Sequence, residues 1–263
     1  MKLRKILCIL SASLLLLLAG CSQEPAEEVT WYTKEQVRTF FGTQTTRSVY
    51  EYNEDWSTGS ITTYVDGELE STVTYEHTEI GYITRGIQDG VEDVMEVVIT
   101  RDEAGNAIHT EQYLNGQLSS SADSTFDEKG NMLTYHTHVT EPDLYLKQEN
   151  EYDSNGNKIK VTTDNGYMVT ITEYTYDSQG RLVKESSPNS NSRTEYTYED
   201  DGKLETALIY GENGELTNKR ISTYDDYGNM LLQETYDADG NIMLTTALSY
   251  ISTDGRTSSG IAG

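Results

Sequence analysis

The side chains best able to do chemistry in this chain are its carboxylates. Asp and Glu number 44 against 19 Lys and Arg, and six of these acids recur at one place in a pattern. Asp102, Asp127, Asp153, Asp177, Glu199 and Asp225 each stand three residues before a glycine. A carboxylate there has two uses: it caps its own turn by accepting backbone N–H bonds, or it joins neighbouring turns in holding calcium weakly. Asp237 and Asp239 echo the middle of a calcium loop, but Thr235 and Thr246 stand where that loop needs carboxylates at its ends. Turn chemistry favours capping, and we assign no metal site. His136 and His138 lie two apart near Glu141, so a strand would present both imidazoles on one face. They begin a zinc site only if a third ligand arrives, and His77 and His109 belong to other repeats. An exposed polar strand face is the simpler reading of the pair. No Gly-x-Ser-x-Gly elbow, His-Glu-x-x-His pair or phosphate loop occurs, so we assign no catalytic residue and no cofactor. With so many acids, some pair always falls at glycosidase spacing, which leaves that chemistry undecided.

The elements that must carry these residues are repeats. Phe126-Asp-Glu-Lys-Gly130-Asn-Met, Tyr152-Asp-Ser-Asn-Gly156-Asn-Lys, Tyr176-Asp-Ser-Gln-Gly180-Arg-Leu, Tyr198-Glu-Asp-Asp-Gly202-Lys-Leu and Tyr224-Asp-Asp-Tyr-Gly228-Asn-Met are copies of one motif. Arg101-Asp-Glu-Ala-Gly105-Asn-Ala is a degenerate copy. Between the copies lies a second and usually tighter turn, at Asp66-Gly67, Asp89-Gly90, Asn115-Gly116, Asn165-Gly166, Asn213-Gly214 and Asp239-Gly240. Alternation of two turn types is what an antiparallel meander produces, one type along each edge. The segments between them have a period of two. Leu204, Thr206, Leu208 and Tyr210 share one face, as do Leu244, Thr246, Leu248 and Tyr250, and Leu69, Ser71, Val73 and Tyr75 alternate with polar neighbours.

The class is therefore all-β. With 20 Tyr against 3 Phe, cross-strand ladders of Tyr, Thr and aliphatic residues are expected to stabilise the sheet in place of a thick apolar core. We expect an elongated, twisted and curved antiparallel β-meander of repeated hairpins over residues 43–263. One short helix is expected before it, within residues 31–42: Thr33 and Gln36 have capping-box spacing, Tyr32 and Val37 staple spacing, and Gly42 can end it. That helix would cap an open end of the array.

The motif Tyr-Asp-x-x-Gly-Asn/Arg-Leu resembles the YD repeats of the RHS family, most closely at Tyr174-Thr-Tyr176-Asp-Ser-Gln-Gly180-Arg181-Leu182 and Tyr236-Asp-Ala-Asp-Gly240-Asn-Ile. The resemblance covers roughly residues 100 to 256 by repeat counting. It implies hairpins wound into a spiral sheet, a shell around a toxin domain in many members, and a suggested affinity for carbohydrate. This array is short, most copies carry Asn where the family has Arg, and no self-cleaving segment or effector domain is visible. The fold unit carries over and the encapsulating role does not.

Residues 1–20 read as a secretory signal: basic Lys2, Arg4 and Lys5, then an apolar run from Ile6 to Leu18. Its end, Leu18-Ala19-Gly20-Cys21, resembles the lipobox of bacterial lipoproteins, in which the cysteine thiol is alkylated by a diacylglyceryl group and the chain is cut on its amino side. Cys21 would then be the only cysteine of the mature chain, which excludes an intramolecular disulfide. Residues 21–30 form an acidic, Pro-bearing tether. Loss of the three basic residues would leave 16 of the 19 bases against all 44 acids, a formal charge of −28. Nucleic acid is excluded as a partner, since nothing would neutralise its phosphates. The expected partners are the membrane, through the lipid on Cys21, and a cell-surface glycan or envelope protein. The expected role is a non-enzymatic binding or scaffold surface outside the cytoplasm, lipid-anchored at a membrane. The alternatives are an envelope glycoside hydrolase using paired carboxylates and a toxin-accessory or immunity-type lipoprotein. Cys21→Ala is expected to abolish incorporation of labelled palmitate and to move the protein from the detergent phase to the aqueous phase; an unchanged partition would refute the anchor.

Overall fold

The structure, a computed structural model, describes residues 29–88, 91–199 and 201–261. The signal, Cys21 and most of the tether lie outside the described residues. Nineteen strands follow one another among the described residues. They are β1 (Trp31–Phe40), β2 (Gln44–Tyr52), β3 (Thr58–Val65), β4 (Glu68–Thr78), β5 (Gly81–Gln88), β6 (Val91–Arg101), β7 (Ala107–Leu114), β8 (Gln117–Phe126), β9 (Met132–Val139) and β10 (Leu144–Tyr152). The series continues with β11 (Lys158–Asp164), β12 (Val169–Tyr176), β13 (Leu182–Ser187), β14 (Ser192–Tyr198), β15 (Leu204–Tyr210), β16 (Leu216–Tyr224), β17 (Met230–Asp237), β18 (Ile242–Ser252) and β19 (Thr257–Ser259). Each pairs antiparallel with the next.

The meander does not stay open. β1 also pairs with β18, from Trp31↔Ser252 to Phe40↔Leu244, and closes the first eighteen strands into a barrel. Short β19 adds to the other edge of β18 through Ser249, Tyr250 and Ile251, beyond the stretch that β17 occupies. This corrects two expectations. The sheet is a closed barrel and not an extended array, and residues 31–42 form no helix. Their Thr33, Val37, Thr39 and aromatic residues suit a strand, and a strand between β18 and β2 satisfies two sheet edges that a helix would leave open. Gly42 does not end a helix; Phe41 and Gly42 both take positive φ, 49° and 69°, in a hairpin turn.

Curvature has a repeated cause. The register shifts by a residue at Glu51/Tyr52, Thr125/Phe126, Glu151/Tyr152, Thr175/Tyr176 and Thr223/Tyr224 at one end of the barrel. It shifts again at Thr63/Tyr64, Gln112/Tyr113, Ile209/Tyr210 and Thr235/Tyr236 at the other. Such bulges bend a strand and increase its twist, so one in most hairpins curls the sheet until its ends meet. The tyrosine at the bulge then fastens the preceding strand by donating to a main-chain carbonyl. Tyr52 reaches Thr33 at 2.6 Å, Tyr152 reaches Met132 at 2.8 Å and Tyr176 reaches Lys158 at 2.8 Å, and Tyr198, at the matching place on β14 but without a register shift, reaches Leu182 at 2.7 Å.

The first rim carries the motif turns and the start of β1. There the carboxylate serves its own turn. In Asp102, Asp127, Asp153 and Asp225, Oδ1 accepts the N–H groups two and four residues on, and Oδ2 accepts the Asn side chain at the fourth position, all at 2.8–2.9 Å. Asp177 receives the same three bonds with Arg181 Nε in place of Asn. Asn and Arg alternate at that position because each offers one N–H at the right reach. The five-residue turn is not confined to this rim: Gly211–Glu215 and Asp237–Asn241 use it on the second rim, against the expectation of one turn type per edge. Asp66-Gly67 and Asn115-Gly116 are two-residue turns with both residues at positive φ, as expected.

Alternate side chains face inward. On β10, Leu146, Gln148 and Asn150 are covered while Lys147, Glu149 and Glu151 are exposed; on β12, Thr170, Thr172 and Tyr174 are covered while Glu173 and Thr175 are exposed. Among the described residues only Val97, Ala207 and Leu248 are fully buried apolar side chains. A barrel of this strand number is too wide for side chains to fill, and its inner wall of Thr, Ser, Gln and Tyr stays partly exposed. The outer wall has no apolar belt where Lys147, Glu149, Lys160, Glu173, Lys184 and Glu195 stand, whereas a wall facing lipid needs one about 25 Å tall. Because β1 is paired on both edges, Val37→Pro is expected to remove a ladder donor at a cost of about 1–3 kcal/mol. It should also expose sheet edges that self-associate, read as a lower melting temperature and a larger species in sedimentation; a monomer of unchanged stability would contradict the seam's role.

Candidate functional site on the inner wall

The inward positions of β12 to β16 gather charge and aromatic rings. Register places them. Tyr174 faces Glu185 across β12 and β13, Tyr196 faces Ala207 across β14 and β15, and Ala207 faces Arg220 across β15 and β16. Glu205, two residues before Ala207 and therefore on the same face, lies between Tyr198 and Ser222. Ala207 is wholly buried. Its methyl leaves room for the Arg220 guanidinium to lean toward Tyr196, with Cζ 6.0 Å from the ring centre.

The electrostatics run in a chain. Burial holds the Tyr196 phenol above its ordinary range, with the charge of Glu185 adding to that and the charge of Arg220 opposing it. Arg220 Nη2 stands 3.9 Å from Glu205 Oε1, a weak ion pair, and its buried Nε has no hydrogen-bond partner. Burial raises the Glu205 carboxyl above its ordinary range, and Arg220 pulls it only part of the way back. Burial likewise raises Tyr174 and Tyr224, and pushes Tyr198 up to about 12. The patch thus presents phenol rings, hydroxyls that stay protonated, two carboxyls and a guanidinium. Such groups bind a neutral, hydroxyl-rich ligand by stacking and hydrogen bonding.

The other residues singled out by type and spacing take different places. Asp102, Asp127, Asp153, Asp177, Glu199 and Asp225 do line one rim. Hydrogen bonds from the fourth following residue hold Asp102, Asp127, Asp153 and Asp177 below the usual carboxylate range, so their lone pairs are spoken for. Lysines reach between neighbouring turns, Lys129 to the Ser154 carbonyl at 3.2 Å and Lys203 to Asp226 at 2.5 Å. Glu199 does not cap; the turn is one residue longer, and Asp201 Oδ1 accepts the Lys203 N–H instead. Asp237 accepts the N–H groups of Asp239 and Asn241, so the calcium-like run is a capped turn.

The histidines divide between faces. His109, His136 and His138 project outward, where His109 bonds Asp123 at 2.7 Å and is raised by it. His138 bonds Asp143 at 2.8 Å and stacks on Tyr145 at 4.2 Å. His77 faces inward between Tyr75 and Tyr82 and bonds the Thr58 carbonyl. No three His, Cys, Asp or Glu side chains gather to hold a metal ion among the described residues. Trp56 takes a glycine's place in a further copy of the motif turn, Asn53–Ser57, with φ of 63°. One of its ring faces is stacked on Tyr32, 4.9 Å between centroids.

Tyr174 and Tyr196 were legible from the motif, but Glu185, Glu205 and Arg220 were not. The alternation of Leu204, Thr206, Leu208 and Tyr210 draws attention to the face of β15 that turns outward. A charged residue at the intervening positions was the available signal, and in an acidic sequence it does not stand out.

Residues 152–192 match the RHS Repeat family model, so the chain carries RHS-type repeats there. No curated protein matches the chain. Among solved structures it is similar to a porin-like protein from Bacteroides uniformis, at 12% identity over 84% of this chain and 96% of that one, with a TM-score of 0.48. It is also similar to the Tc holotoxin pore of Photorhabdus luminescens, at 12% identity over 76% of this chain and 14% of that one, TM-score 0.32. A third is TcdB2-TccC3 without its hypervariable C-terminal region, at 11% identity over 82% and 15%, TM-score 0.37.

Because Arg220 is the cation that lowers Glu205, Arg220→Met is expected to raise the Glu205 pKa further, followed by carboxyl carbon chemical shift. The sign follows from linkage. A carboxyl raised in the folded state contributes stability that is full below its unfolded value and lost as pH rises through the folded one. The unfolded value, where the loss begins, is the same in both proteins, so the variant should lose more stability than the parent as pH rises, over a window that extends to higher pH. An unmoved Glu205 titration would remove Arg220 from the cluster.

Proposed function

We propose that this protein is a lipid-anchored lipoprotein working outside the cytoplasm, and that its barrel binds carbohydrate on the inner wall without transforming it. The carrying observation is the polar, tyrosine-bearing inner wall, concentrated at Tyr174, Glu185, Tyr196, Glu205 and Arg220. Stacking faces and fixed donors and acceptors meet there on rigid strands, the arrangement that sugar recognition needs. The lumen is wet, so a hydrophilic ligand exchanges water for wall contacts at little desolvation cost. The anchor on Cys21 rests on the sequence of the signal and its last four residues.

The glycosidase reading has one observation in its favour, the raised Glu205 carboxyl, since a general acid of that chemistry needs such a shift. Against it, Tyr196 stands between the two carboxylates in the strand order, where a water or a sugar carbon would have to sit, and Arg220 engages Glu205 from the next strand on the far side. We therefore favour binding over catalysis. On a glycan array the parent is expected to retain specific glycans. Tyr174→Ala and Tyr196→Ala should each weaken retention about tenfold, in line with loss of an aromatic anchor. Retained glycans should elute intact. No retention by the parent would sink the carbohydrate reading, and cleaved glycans would replace it with the hydrolase.

A further inference from the structure

The two rims of the barrel differ in a way that the repeats do not require. On the first rim the motif turns contain Lys129, Arg181, Lys203 and Arg256 among their acids. On the second rim the described turns 41–43, 66–67, 115–116, 140–143, 165–168, 188–191, 211–215 and 238–241 contain no Lys or Arg. Most of the large apolar side chains left exposed also stand at this second rim. They are densest over three consecutive turns, those joining β7 to β8, β9 to β10 and β11 to β12. Leu118, Leu144, Tyr145, Tyr167, Met168 and Val169 lie there, with Tyr167 88% exposed. Successive turns on one rim are two strand spacings apart, about 10 Å, so the six side chains span roughly 25 Å of rim. An exposed apolar stretch of that extent marks an interaction surface.

We propose that the second rim is a docking surface for a protein whose contact face is apolar and bordered by Lys and Arg. Charge selects this occupant. Glu141, Asp143 and Asp164 edge the patch, within a chain of net charge −25. Two copies meeting rim to rim would oppose acid with acid, and an anionic bilayer would be repelled in the same way. A basic border on the partner turns both penalties into attraction. One anchor is held ready: the Tyr145 ring stacks on His138 at 4.2 Å with an interplanar angle of 2°, and His138 is itself fixed by Asp143. Side chains immobilised before binding lose little entropy on docking, which is the character of an interface hot spot. This inference does not depend on what the lumen holds.

The test uses the full chain and a fluorescent amphipathic helix peptide made of Leu and Lys, with a Leu and Glu peptide of the same pattern as its charge-reversed counterpart. The parent is expected to bind the Lys peptide and not the Glu peptide. The combined Leu144→Ser, Tyr145→Ser, Tyr167→Ser and Met168→Ser variant should bind at least about tenfold more weakly, as loss of anchor residues does. Leu133→Ser with Ile159→Ser on the first rim should bind as the parent does. All these variants keep the parent's net charge, so a difference reports the apolar patch. Tyr167→Ser with Met168→Ser alone, in the turn between β11 and β12, should show a smaller loss in the same direction with an unchanged circular dichroism spectrum. Equal binding by the second-rim and first-rim variants would overturn the proposal. So would a parent dimer that the second-rim variant dissociates, which assigns the patch to a second copy. Binding to phosphatidylcholine vesicles that the same variant abolishes would also overturn it, by assigning the patch to a lipid surface.

Discussion

A sheet must do something with its two outer edges, and here each is spent on the other. The pairing of β1 with β18 along their length satisfies a row of main-chain donors and acceptors that an open array would offer to any neighbouring chain. Closure asks for steady curvature, and the repeat supplies it in three parts. In the motif hairpins such as β10–β11, a bulge bends the strand, an aspartate fixes the turn beyond it, and a tyrosine hydroxyl ties the bend to the main chain of the strand before. Each bond is short-range and worth only about 1–3 kcal/mol in net terms, the carboxylate bonds at the upper end. Repetition makes them sufficient without a packed interior.

That economy decides what the inside can be. With few apolar residues fully buried, the inner wall is an aqueous surface and not a core. Charged and phenolic groups can stand there without the large penalty of a dry interior. Among the described residues it is where neighbours crowd, around Ala207, that burial shifts a carboxyl upward and leaves a guanidinium nitrogen without a partner. The cluster is thus a local departure from a permissive wall.

Departures from the repeat carry most of the individuality of the molecule. Arg181 replaces Asn while keeping its bond to Asp177, and lays its guanidinium over Tyr198 at 4.7 Å. Trp56 replaces Gly in a turn that prefers positive φ, a strained choice for a bulky residue, and stacks on Tyr32 beside the seam. Trp31, Tyr227 and Arg256 pack together at the same junction. The seam is where a uniform repeat meets its own beginning, and aromatic packing fills the mismatch.

The amino-acid order by itself determined the class, the repeat and the chemistry of the turns. Asp and Gly at fixed spacing leave little choice of local conformation, and the period of two leaves no helix within the array. It did not determine closure, because pairing between β1 and β18 joins residues more than 200 positions apart and leaves no local trace. For the same reason residues 31–42 read as a helix: capping-box and staple spacings are local, while β18, one of the two strands that claim the segment, is distant in sequence. Nor could it say which face was inside. Both faces of each strand mix Thr, Tyr and charge, so Leu204 and Leu208 turn outward on β15 while Leu244 and Leu248 turn inward on β18. Only the direction of curvature, a property of the whole sheet, brought Glu185, Glu205 and Arg220 together.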